Sequence, residues 1–401
     1  MPTIYPHGVY RKGCRTGRRG NTSGGGRVVP EVTTSTSTPT SATTTTSLFD
    51  PLDAGALHLT NRVTMAALTR QRADEDGVPT DLHVEYYRQR ASAGLVLTEG
   101  TFPAFGNRSF PGQAGIADAA QQEGWAQVAE AVHAEGGTLV MQIMHGGRTS
   151  HPDLLRGGEP EAPSALGTGG PVRGFSGKLD GVVPRALETD EIPRVIREFV
   201  DGARRAVDAG VDAVEIHGAN GYLLHEFTAA SSNHREDAYG GSPENRARLT
   251  VEVVRAVAEE IGADRTALRI SPEHGVQGVP EDDREDVLAT YGALIDGVRD
   301  LGMAYLSVLH ADIDGDLVAA LRERFAGTFL LNSGFGHVTE LDEARHIVED
   351  DLADAAVVGR QLIANPDLVR RWKEGLELNT PDSSTFYVGG AHGYTDYPFA
   401  E

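Results

Sequence analysis

Three residues at the end of one short apolar run have the types to steady a negative charge and deliver a proton. They are His217, Asn220 and Tyr222, within VDAVEIHGANGYLLHEF over residues 211–227. A neutral imidazole and a carboxamide both donate hydrogen bonds, so His217 and Asn220 can converge on one ligand oxygen. That is the pattern of oxyanion stabilisation. Tyr222 adds a phenol, which keeps its proton at neutral pH, as a general acid must. Taken alone, H-x-x-N-x-Y is ordinary loop capping. Here a β-branched run, Ala213 to Ile216, precedes it. An irregular loop rich in Asn, Arg, Asp and Gly follows, and a helix opens at Ser242-Pro243. Strand, polar tip and helix make one βα unit with chemistry at the strand's C-terminal end.

The rest of the chain repeats that unit. Short apolar runs alternate with amphipathic stretches, which reads as a parallel sheet. The expected strands are 62–68, 95–101, 138–145, 213–217, 267–271, 304–310, 328–332 and 355–359. The expected helices include 192–209, 243–261, 284–301 and 341–350, several opened by start signals such as Thr189-Asp190-Glu191, Ser242-Pro243-Glu244 and Thr339-Glu340. Eight such units favour an α/β chain of the (β/α)8 TIM-barrel type over an open doubly wound sheet, and no GxGxxG follows an early strand. Residues 146–188 form a long Gly/Pro-rich excursion after the third strand, too long for a passive connection.

Alternation along the strands assigns faces. Val214 and Ile216 share one face of the fourth strand, with Glu215 and His217 on the other. Leu268 and Ile270 share a face of the fifth, with Arg269 opposite. Outer faces of barrel strands pack on helices and take aliphatics, so His217 and Arg269 are expected to point inward. A cation there needs an anion or a ligand acceptor, and Glu215 is one candidate partner.

Composition bounds the partners. The chain has 401 residues, 39% hydrophobic, with a net charge of -22. Such acidity disfavours nucleic acid and anionic membrane as partners, and no apolar run is long enough to span a bilayer. Residues 1–46 are Gly-rich, then Thr/Ser-rich, and are expected to be a disordered tail ahead of a barrel over 47–401. Arg18-Arg19 lacks the apolar segment that an export signal needs after it. Lysine occurs only at 12, 178 and 373, so arginine supplies nearly all the positive charge. High acidity with little lysine is the composition expected of a salt-adapted cytoplasmic protein. Cys14 is the only cysteine, which excludes an intrachain disulfide and a cysteine-based metal cluster.

The string VDAVEIHGANGYLLHEFTAASSNHREDAYGGSPENRARL closely resembles the Old Yellow Enzyme family of flavin-dependent alkene reductases, and the likeness runs from about Leu48 to the C-terminus. The resemblance implies a tightly bound FMN and a β-hairpin within 146–188 that caps the barrel mouth. It implies that His217 and Asn220 hold the oxygen of the substrate's electron-withdrawing group while Tyr222 protonates the α-carbon. Thr69, in MAALTRQRA, matches the threonine that meets the flavin C4 oxygen; Ala67 replaces the family's usual proline there. Gly100 ends TEG beside the flavin N5 side, where a small residue suits a close approach. Gln142, in MQIMHGGR, matches the reader of the pyrimidine edge, and Arg269 stands at the ring edge. Gly334 and Phe335 in NSGFG, with Gly359 and Arg360 in VGRQLIANPDL, match the phosphate site. Phe335 stands where the family more often has Asn. Tyr387, in the closing segment TFYVGGAHGYTDYP, matches an aromatic of the substrate pocket.

The function so implied is hydride transfer from NADPH or NADH, through FMN, to an activated alkene such as an α,β-unsaturated carbonyl. A nitro-ester or nitroaromatic reductase on the same flavin stays open at this stage. So does a flavin-binding protein that senses redox state or takes up phenols without turnover. The expected partners are small molecules, without nucleic acid or membrane, on a monomer or homodimer.

Overall fold

The structure is a computed structural model and describes residues 46–401. The tail expected over 1–46, with Cys14, lies outside the described residues apart from its last position. Eight parallel strands form the barrel: β1 (Val63–Met65), β2 (Val96–Leu97), β3 (Leu139–Ile143), β4 (Ala213–Gly218), β5 (Thr266–Ile270), β6 (Tyr305–Leu309), β7 (Phe329–Asn332) and β8 (Ala355–Val358). From β2 to β8 each strand pairs with the next in sequence, and β8 pairs with β1. A bridge between Thr64 and Leu95 joins β1 to the start of β2 and closes the ring. Two 2.8 Å bonds reinforce that seam, Met65 N–H to the Leu95 carbonyl and Gly94 N–H to the Val63 carbonyl. A Cβ on Gly94 would lie 1.9 Å from the Asn61 carbonyl oxygen, so only glycine fits the seam.

Parity does what the sequence pattern demands. Val214, Ile216, Leu268, Ile270, Val308 and Leu331 belong to the outer core, packed with helix residues such as Phe199, Val253 and Leu294. The helices that cover them are Ile192–Asp208, Pro243–Ile261 and Arg284–Asp296, among others. The Ser242 side chain accepts the Asn245 amide and Pro243 takes the first turn, so the start signal reads as expected. A second cluster fills the barrel's lower interior with Val140, Ala213, Ala267, Ala304, Tyr305, Leu330 and Ala355. Leu57 and Leu59 join it from an antiparallel hairpin, Leu52–Ala54 with Leu57–Leu59. Small alanines at the strand starts make room for that plug. The opposite end, at the strands' C-termini, is the polar one.

Several strands are shorter than the sequence suggests. The expected 62–68 and 95–101 contract to three and two residues. The chain remains tied beyond the regular ladder by single bonds, such as Ala66 N–H to the Val358 carbonyl and Thr101 N–H to the Gln142 carbonyl. These ends leave strand geometry to form the loops of the polar rim. The expected helix 284–301 also divides: it stops at Asp296, and a 3-10 turn follows at Arg299–Leu301. Gly297, a weak helix former, marks the break.

The excursion after β3 has structure of its own. Val172–Gly174 and Gly177–Leu179 form an antiparallel hairpin, and Glu161–Ala162 pairs with Arg185–Ala186 at its base. Arg185 bonds Glu161 and Glu191, which fastens that base to the first turn before the helix Ile192–Asp208.

Candidate active site

Register decides which side chains meet. Gln142 on β3 lies opposite Glu215 on β4, His217 on β4 opposite Arg269 on β5, and Arg269 opposite Ser307 on β6. Directly opposed residues share a face, so these five polar residues line one continuous inner surface. Gln142 Nε2 donates to Glu215 Oε1 at 2.7 Å. Arg269 donates to Ser307 Oγ at 3.3 Å. Among the described residues no carboxylate comes within ion-pair reach of Arg269, though it is only 4% exposed. Burial lowers its pKa, and the nearby Glu215 opposes that shift without touching it. Burial likewise raises the pKa of Glu215 against the pull of Arg269. The internal Arg269–Glu215 pair is therefore a field, not a salt bridge. A guanidinium carries five donors, and one long bond leaves most of them for a ligand.

His217 sits above this layer. Burial, then the positive charge of Arg269, holds its pKa well below the ordinary histidine value, so the ring is neutral. Its Nδ1 is buried without a hydrogen-bond partner. The Tyr222 ring lies 5.1 Å away, centroid to centroid, and Phe110 meets Tyr222 edge-on at 6.5 Å. Asn220 stands between them on a turn with φ +57, a left-handed conformation that Asn tolerates better than most residues. The structure brings the His217 and Tyr222 rings together, with Asn220 on the turn between them in sequence.

The residues expected to hold the flavin make contacts of their own. Gly100 abuts Gln142: a Cβ there would lie 3.4 Å from Gln142 Oε1 and 2.8 Å from the Met144 sulfur. Gly359 lies beside Ala66 and Leu68, one residue short of Thr69. Arg360 Nη2 donates to the Phe335 carbonyl at 2.9 Å, which brings the loops after β7 and β8 together. Of the four amides expected to cradle a phosphate, Gly334 N–H is already used by Asn332 Oδ1 at 3.0 Å. The amides of Phe335, Gly359 and Arg360 donate to no acceptor among the described residues. Phe335 turns its ring edge-on to His274 at 4.9 Å and brings no side-chain donor. An under-bonded guanidinium, an amide facing a glycine and three unused N–H groups fit the ring and phosphate of FMN.

Tyr387 stands apart. It is 47% exposed, with Arg173 of the hairpin 5.3 Å above its ring and Phe386 beside it. Two arginines that sequence reasoning passed over hold its segment. Arg70 donates to Phe386 O, Gly393 O and Tyr86 Oη, and Arg72 donates to Thr385 O and Phe386 O. Burial, then the charge of Arg70, lowers the Arg72 pKa to about 10. They are the first and third residues after Thr69 in MAALTRQRA, so the signal was present as two closely spaced arginines just past the first strand. Glu226, one turn below Tyr222, was also missed. Its carboxyl accepts the Arg148 amide at 2.9 Å, its second oxygen has no partner, and burial raises its pKa to about 8.

That carboxyl gives a pH prediction. Its folded-state value lies above the ordinary 4.5, so between those values the folded chain holds one proton that the unfolded chain has lost. The stability it contributes is complete below about pH 4.5 and is lost as pH rises through about 8. Glu226→Gln removes this titration. Its melting temperature is expected to gain on the parent's from about pH 6 to about pH 9, read by circular dichroism.

The chain's likeness to known proteins is broad. Residues 47–379 match the model of the NADH:flavin oxidoreductase / NADH oxidase family. A probable flavin mononucleotide-dependent alkene reductase of Leishmania infantum is 40% identical over 361 residues, covering 88% of this chain and 97% of that protein. 12-Oxophytodienoate reductase 1 of Oryza sativa subsp. japonica is 38% identical over 368 residues, covering 88% and 93%. Among solved structures, the old yellow enzyme homologue of Zymomonas mobilis superposes with a TM-score of 0.83 at 40% identity, covering 88% of this chain and 99% of that one. Morphinone reductase in complex with tetrahydroNAD gives 0.83 at 42% identity, covering 89% and 98%. With its barrel, its polar mouth and these relatives, the chain belongs to the Old Yellow Enzyme family of NADH:flavin oxidoreductases.

Proposed function

We propose that this protein is an FMN-dependent ene-reductase acting on activated alkenes such as α,β-unsaturated carbonyls. The observation that carries the reading is the meeting of neutral His217, Asn220 and Tyr222 over the Gln142–Arg269 layer. Bound FMN would supply the redox chemistry, hydride transfer between a nicotinamide dinucleotide and the alkene. Gln142, Arg269, Gly100 and Thr69 would hold its ring. Phe335, Gly359 and Arg360 would hold its phosphate through amides and a guanidinium, with Gly334 shaping the loop.

The other residues act on the substrate. His217 and Asn220 donate to its carbonyl oxygen, where charge grows as the β-carbon is reduced. A neutral histidine suits this role because it donates without adding a second buried cation beside Arg269. Tyr222 delivers the proton to the α-carbon. Tyr387, on the rim beneath Arg173, borders the entrance rather than the reacting atoms.

For the co-substrate we propose NADPH. Arg173 and Lys178 face each other directly across the mouth hairpin, both exposed. Among the described residues neither has an ion-pair partner. Like charges placed opposite one another cost stability, and an anionic ligand offsets that cost. In a chain of net charge -22, this pair supplies local attraction for a 2′-phosphate at the barrel mouth. A salt-rich cytoplasm is the proposed setting. The acidic excess supports it, as does the absence of any lysine from the ion pairs among the described residues. No helix among those residues is long and apolar enough to cross a membrane. The assembly is proposed as monomer or homodimer.

Three measurements follow. Tyr222→Phe is expected to slow reoxidation by cyclohexenone by about a hundredfold or more, with flavin reduction by NADPH nearly unchanged. Equal losses in both half-reactions would refute the proton-donor role. The double variant Arg173→Glu, Lys178→Glu is expected to raise KM for NADPH by about tenfold and leave that for NADH within about twofold. Parallel changes for the two nucleotides overturn the phosphate contact. The melting temperature is expected to rise between low and molar KCl; a flat response rejects salt adaptation.

A further inference from the structure

Asn220 Oδ1 is buried without a hydrogen-bond partner. Where that oxygen points depends on the backbone that carries it. That backbone is unusual: Asn220 and Gly221 are consecutive left-handed residues, at φ +57 and +76. A Cβ on Gly221 would lie 2.7 Å from the Val276 carbonyl oxygen, so the turn is pressed against the loop after β5. Such a turn persists only where its surroundings hold it.

Three side chains do so. Ser271 Oγ accepts the Asn220 amide at 2.8 Å, and Gln277 Nε2 donates to the Asn220 carbonyl at 2.8 Å. The third is His225, fully buried on the short helix Leu223–Thr228, whose Nδ1 accepts the Gly221 amide at 2.9 Å. Accepting at Nδ1 requires the proton to sit on Nε2. Nε2 lies 3.2 Å from a carboxylate oxygen of Glu281, which is nearly buried itself; the two are close but not aligned as a hydrogen bond. The same oxygen accepts the Glu273 amide at 2.8 Å and lies 3.3 Å from the Tyr291 hydroxyl. The Gly221 bond puts the proton on Nε2, and a carboxylate charge 3.2 Å away favours it there.

We infer that His225 and Glu281 form a positioning pair: the carboxylate fixes the His225 tautomer, and His225 holds the Gly221 turn that aims Asn220 at the substrate oxygen. Neither residue reaches the reacting atoms. The inference rests on the ene-reductase reading and extends it to residues that lie outside H-x-x-N-x-Y. Misplacing one donor of an oxyanion pair costs rate rather than binding of the cofactor.

The test uses the FMN-loaded full chain, reduced with dithionite under nitrogen. It is then reoxidised with either cyclohexenone or ferricyanide, which takes electrons without needing a polarised carbonyl. His225→Phe is expected to slow the cyclohexenone reaction by about tenfold to a hundredfold, with ferricyanide within about twofold of the parent. His225→Asn, whose Oδ1 can accept the Gly221 amide, is expected to recover most of the loss. Should His225→Phe fail to retain FMN, Glu281→Gln carries the test, with a smaller loss confined to cyclohexenone. An unchanged cyclohexenone rate in these variants, or equal losses with both oxidants, overturns the pair. A parent protein that ferricyanide reoxidises and cyclohexenone does not would instead overturn the ene-reductase reading.

Discussion

A closed ring of parallel strands gives each strand residue two directions, in or out, and the site follows from that constraint. Outward positions must meet helices, so they are aliphatic: Val214, Ile216, Leu268 and Ile270. The residues between them have no choice but the interior. Glu215, His217 and Arg269 therefore face inward whatever their chemistry, and the 2-residue period of the strand sets their heights. Closure is what makes this strict. The seam at Gly94 and Leu95 leaves no edge for a strand to rotate away or slip its register.

Forcing polar groups inward raises an energetic problem that the barrel solves in layers. The lower interior is apolar and plugged by Leu57 and Leu59, so no charge is placed there. The upper layer holds a guanidinium, a carboxyl, an amide and a neutral imidazole with few mutual bonds. Burial moves each titrating group toward its neutral form, and Arg269 reinforces this for His217. A fully paired set would be more stable and would have nothing left to offer a ligand. The unfilled donors at Arg269 and at the amides of Phe335, Gly359 and Arg360 are the cost of leaving groups free for a ligand, here proposed to be the flavin.

Rigidity at the mouth comes from outside the strands. The Asn220–Gly221 turn is set by side chains from the loop after β5 and from the short helix below it. The closing segment that bears Tyr387 is fastened by Arg70 and Arg72 to the loop that bears Thr69. Parts of the site remote in sequence are thereby held as one unit. Loops alone would not keep donors within the tolerance that polarising a carbonyl requires.

The sequence by itself determined the barrel, its strand count and the inward facing of His217 and Arg269, because period and burial are local properties of a chain. It also pointed to the family, since thirty-nine residues of motif carry more information than any single spacing. Tertiary structure alone decided who bonds whom. Register placed Gln142 against Glu215 and left Arg269 without a carboxylate; a strand pattern contains no such pairing. The Gly334 amide turned out to be taken by Asn332, and Tyr387 to lie on the rim, because both depend on contacts between distant loops. His225 and Glu281, fifty-six positions apart, could be joined only once β5 had been laid beside β4.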